Sequence, residues 1–135
     1  SGSVGPAGAL IAGFAGGVIC YTATNYLKQK LRVDDSLDVF PVHGVGGIVG
    51  TLLAGILVSS DLGVFGGRGL ADGASIGSQV GVQLVGILVV AVYTAILTIV
   101  LLKLVSVLTG GIRVSKDDEV QGLDIVDHDE KGYSI

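Results

Sequence analysis

The chain has 135 residues, half of them hydrophobic and only 15% charged, well under the roughly 25% of a soluble domain. Its net charge of −4 at pH 7 comes mostly from the C-terminal tail, which argues against a nucleic-acid interface. A lone cysteine, Cys20, sits in an apolar run and excludes a disulfide framework, and no metal-ligand spacing accompanies it.

The charges are unevenly placed. Residues 1–27, 39–60 and 73–102 contain no Asp, Glu, Lys or Arg. At 1.5 Å of helical rise per residue, each run exceeds the hydrocarbon core of a bilayer, about 30 Å thick. An all-α membrane protein with three transmembrane helices is therefore expected. Three buried helices of a soluble core would need polar outer faces, which these runs lack. No basic region with a short apolar core and cleavage site opens the chain, so no signal peptide is expected. The abrupt start at Ser1, without Met, suggests part of something longer.

The first helix is expected over about residues 5–27, with Pro6 in the first turn, where its missing N–H costs nothing. A basic loop follows with Lys28, Lys30 and Arg32, then Asp34, Asp35 and Asp38. The second helix is expected over about residues 38–58, with Asp38 as N-cap and Pro41 in the first turn. The glycine-rich residues 59–75 read as a loop. The third helix is expected over about residues 76–108, longer than a bilayer is thick, and Gly110-Gly111 stops it. This division gives a transmembrane region, residues 1–111, and a polar tail, residues 112–135. The basic first loop, together with Lys103, Arg113, Lys116 and Lys131, places that loop and the tail in the cytoplasm.

The pairs Gly13 and Gly17, Gly46 and Gly50, and Gly77 and Gly81 put small residues one turn apart, a spacing that lets helices approach closely in lipid. Polar residues in the spans, among them Thr22, Asn25, Gln79 and Gln83, read as interhelical hydrogen bonds.

His43 is the only titratable side chain in residues 39–60. A polar ring inside a bilayer is costly unless it meets a partner or a water-filled path, so His43 is the first candidate for transport chemistry. Neutral imidazole offers one donor and one acceptor, suited to relaying a proton or passing a polar molecule along a narrow pore. The alternative is a packing histidine bonded to a backbone carbonyl. No nucleophile–base pair supports an enzyme, and Gly66-Gly67-Arg68-Gly69 lacks the Lys-Ser/Thr of a phosphate loop. In the tail, the spaced apolar residues Val120, Leu123, Ile125, Val126 and Tyr133 exceed what a merely solvating segment carries and suggest docking on the cytoplasmic face.

Residues 31–50, LRVDDSLDVFPVHGVGGIVG, resemble the signature LRVDDxxDVFxVHGVGGIxG of the ammonium transporter family. The opening SGSVGPAGAL resembles the SGxVGPxGAL that begins the family's ninth helix. The tail is similar to the ending GLRVxxxxExxGLDxxxHxExxY, matched at Gly111, Arg113, Val114, Glu119, Gly122, Leu123, Asp124, His128, Glu130 and Tyr133, with Ile112 where Leu is usual. The resemblance implies the last three helices of an eleven-helix bundle that works as a homotrimer in the cell (inner or plasma) membrane and conducts ammonium or ammonia. It implies that His43 is the second of two pore histidines, with Val39 lining the pore beside it. The first histidine and the outer gate belong to earlier helices. It further implies that Gly122, Leu123, Asp124, His128 and Tyr133 form a regulatory tail and that a PII-type signalling protein docks on the cytoplasmic face. No cofactor, metal or nucleic acid is expected. The competing reading is a small structural module, whose glycine-faced helices pack in a larger membrane complex.

Overall fold

In the computed structural model, residues 2–132 are described, so Tyr133 lies outside the described residues. All regular elements among them are helical. Three are long and apolar enough to span a membrane, Pro6–Gln29, Phe40–Leu57 and Ile76–Thr109. These are α1, a π-helical turn (Phe40–Val45) running into α2 (Gly46–Leu57), and α3. A 3-10 segment, Ser60–Phe65, lies within the expected loop, and the tail forms two short helices, α4 (Lys116–Gln121) and α5 (Leu123–His128).

The chain divides into two units, Ser1–Ala91 and Val92–Ile135. In the first, α1 and α2 run antiparallel and are tied at three levels. Near the start of α1, Gly8 lies against Leu57 and the Phe65 carbonyl. At mid-height, Gly46 lies so near Cys20 that an added Cβ would sit 3.1 Å from its Sγ. At the far end, Lys28 Nζ lies 2.7 Å from Asp38 Oδ1. Gly55 takes the stems of Gln79 and Gln83 from α3. Of the six paired glycines, Gly46 alone meets another helix closely. Gly13, Gly17, Gly50 and Gly81 face open space, and Gly77 is near only its own Ser75.

The buried centre of this unit is small: Gly8, Pro41, Gly55, Leu57, Val58 and Ser59. After Ser59 the chain folds back on itself. The Gly69 amide donates to the Val58 carbonyl (2.8 Å) and the Arg68 amide to the Ser3 carbonyl (3.1 Å). A Cβ at Gly67 would collide with the Ser3 carbonyl oxygen, which is why glycine occupies this close approach.

The start of α3 has a local cause. The Ser78 amide donates to Ser75 Oγ (3.1 Å) and the Ser75 amide to Ser78 Oγ (2.9 Å), a reciprocal cap on the first turn. In the second unit, α3 ends where Thr109 Oγ1 lies 2.9 Å from the Val105 carbonyl and 2.6 Å from that of Gly111, and Gly110 takes φ +74°. None of α3 is buried, and its 34 residues run about 51 Å, well beyond the hydrocarbon thickness.

Thr22 and Asn25 do not bond across helices as expected. They donate to the Val18 and Tyr21 carbonyls of their own helix, at 2.8 and 3.2 Å, because a carbonyl one turn back is always in reach.

Candidate pore-helix site

The entrance to the second span is built by Asp35, not by Asp38. One Asp35 oxygen accepts from the Val39 amide (2.9 Å) and the other from the Phe40 amide (2.8 Å), so a single carboxylate satisfies two free amides of the first turn. These bonds, that of Phe40 foremost, hold the Asp35 carboxyl below its ordinary value of 3.8, and the Lys28 charge adds to them. Asp38, expected as the cap, supplies only its backbone carbonyl to the Val42 amide (3.0 Å). Its backbone takes φ +56°, and its carboxylate lies against Lys28. The open amides are thus taken by Asp35, while the Asp38 carboxylate is held by Lys28.

The first turn is then π-helical rather than α-helical. The Gly46 amide reaches back to the Pro41 carbonyl, five residues earlier, and to that of His43. Pro41 has no amide to give and is almost wholly buried. Gly44 leaves space for the Phe40 ring, whose Cδ2 would lie 3.0 Å from an added Cβ. Wider turns of this kind are rare, occur mostly as single turns within α-helices, and are frequent at functional sites.

His43 lies within this turn and Val39 immediately precedes it. Four residues apart, they lie on one side of the helix. The neighbouring Gly46 is pressed against Cys20, whereas Val39 is half exposed and the His43 side chain is exposed. The structure thus brings together the two residues singled out for a pathway and leaves both open on the surface of this chain. Among the described residues, no group of three or more His, Cys, Asp or Glu could hold a metal ion.

The tail residues form a separate cluster. Ser115 caps α4, accepting from the Asp118 amide (3.1 Å), and Arg113 Nη2 pairs with Glu119 at 3.1 and 3.3 Å. Gly122 closes α4 and opens α5 with φ +97°, a conformation unfavourable for residues with a Cβ. Leu123 and Asp124 occupy the first turn of α5 and His128 its last, where carboxylate and imidazole suit the helix dipole. Sequence reasoning missed the Asp35 cap, the Lys28–Asp38 pair and the π-helical turn. The Asp-rich run before Pro41 was the available signal for the first.

Residues 1–133 match the profile described as Ammonium Transporter Family. The chain is similar to an ammonium transporter of Mycobacterium tuberculosis (strain H37Rv), 42% identical over 98% of this chain and 28% of the relative. It is similar to Ammonium transporter 1 of Schizosaccharomyces pombe, 40% identical over 98% of this chain and 28% of the relative. An ammonium transporter of Bacillus subtilis (strain 168) is 35% identical over 98% of this chain and 32% of its own length. The chain therefore spans under a third of the length of these relatives.

Proposed function

The chain belongs to the ammonium transporter family, and on that premise we propose that it is the C-terminal part of a membrane protein that moves ammonium or ammonia through a hydrophobic pore. The observation that carries this reading is His43, the one titratable side chain of its span, held with Val39 on an exposed side of the capped π-helical turn. His43 is one of a pair of pore histidines, and its partner lies on a helix outside this chain. Alone, the chain forms no pore, because most of the wall is contributed by other helices. The working unit is a homotrimer in the cell membrane. The tail is cytoplasmic, regulates flux through Gly122, Leu123, Asp124, His128 and Tyr133, and is where a PII-type protein docks. Residues 1–111 form the membrane region and residues 112–135 the tail.

The physical logic is that of a cation meeting an apolar path. Carrying ammonium unchanged through hydrocarbon costs several kcal/mol or more. Releasing a proton at the entrance and passing NH3 and the proton separately lowers that cost. A neutral imidazole supplies an acceptor and a donor along the way. The test is growth of cells lacking their own ammonium transporters, on scarce ammonium, when they express the full-length protein. Restored growth is expected, and no restoration by a protein present in the membrane contradicts the assignment.

A further inference from the structure

We infer that Lys28 is a positioning residue for the conduction path: its ammonium group pins Asp38 and thereby holds the π-helical turn that carries His43, with Val39 just before it. This rests on the transport reading above for its functional half, and on geometry for the rest.

Lys28 stands in the last turn of α1, and its Nζ lies 2.7 Å from Asp38 Oδ1. That oxygen is buried and takes no aligned hydrogen bond, so the lysine charge is what compensates it. Asp38 adopts φ +56°, a left-handed conformation that aspartate and asparagine accept more readily than other residues with a Cβ. The same residue gives its carbonyl to Val42, the residue just before His43. The pair therefore links the end of one span to the first hydrogen bond of the next. Lys28 also lies close enough to add to the stabilisation of the Asp35 carboxylate, so one cation serves both acids at this entrance. Two further ties act on the same turn: Gly46, whose amide closes it, lies against Cys20, and the Asp35 carboxylate accepts from the Val39 and Phe40 amides, so Lys28 works beside them through Asp38.

The experiment uses the full-length protein in lipid nanodiscs and in cells. Hydrogen exchange is followed at the amides of residues 39, 40 and 42–46, and methylammonium uptake is measured alongside. Lys28→Met is expected to speed exchange at these amides by roughly fivefold, the scale of losing one partly exposed ion pair, and to lower uptake. Lys28→Arg is expected to restore both, because it keeps the charge. Asp38→Asn is the second variant should Lys28→Met fail to assemble; asparagine tolerates the same backbone, and the same faster exchange is expected. Unchanged exchange in the neutralised variant overturns the inference whatever the uptake. Faster exchange with unchanged uptake overturns the positioning role in transport. His43→Ala runs in parallel. If the unmodified protein shows no uptake at all, it is the transport reading that fails, and the exchange data still decide whether Lys28 holds the turn.

Discussion

Asp35 is the residue on which the second span begins. Its carboxylate accepts from two backbone amides, and these bonds favour the ionised form, so its folded value lies below 3.8. A group depressed in this way stabilises the fold above its unfolded value and loses that contribution as pH falls through the folded value. Acidification below 3.8 is therefore expected to loosen residues 38–46, read as faster hydrogen exchange there. Asp35→Ala is expected to show the loosened exchange already at neutral pH and to lose this part of the acid dependence. Gly122 is the corresponding residue of the tail. Its φ of +97° disfavours a side chain, so Gly122→Val is expected to destabilise the α4–α5 turn by about 1–2 kcal/mol. Circular dichroism and protease sensitivity of the tail in the full-length protein would register it.

At the scale of elements, the three spans were legible because each is a long run without charge, and such a run has few alternatives in lipid. The stop at Gly110 was equally legible, since glycine releases a helix into a positive φ. The π-helical turn was not. An α and a π turn draw on the same apolar residues, and the difference lies in which carbonyl the Gly46 amide reaches, a matter of three-dimensional packing around Pro41. The cap was misread for a related reason: spacing alone puts Asp38 at the helix start, whereas in three dimensions its carboxylate pairs with Lys28 and Asp35 bonds the open amides. His43 and Val39 were legible as candidates from charge isolation and the family signature, but not the turn that presents them. The contact between α1 and α2 gives an element-scale prediction. Gly46→Leu must displace Cys20, and overpacking of this kind costs about 1–3 kcal/mol. A lower melting temperature of the detergent-solubilised protein is expected, with partial recovery in the Gly46→Leu, Cys20→Ala double variant. Equal melting of the single and double variants would show that the strain lies elsewhere.

Across the whole molecule, burial is the telling quantity. α3 has no buried residue, and large apolar side chains from Leu10 to Val126 stand exposed. Such a surface is stable only against lipid or further protein, which agrees with a chain spanning under a third of its relatives. Removal of residues 111–135 from the full-length protein is expected to lower uptake, or to abolish binding of the proposed PII-type partner, while leaving the proposed trimer intact. A truncated protein with full, fully regulated uptake would remove the tail from the mechanism.

The central claim is that His43 lies in the path of the substrate. Methylammonium and ammonium uptake by the full-length protein carrying His43→Ala, at matched membrane abundance, tests it most directly. Changed flux or changed selectivity between the two substrates is the expected result; unchanged flux with unchanged selectivity would contradict it.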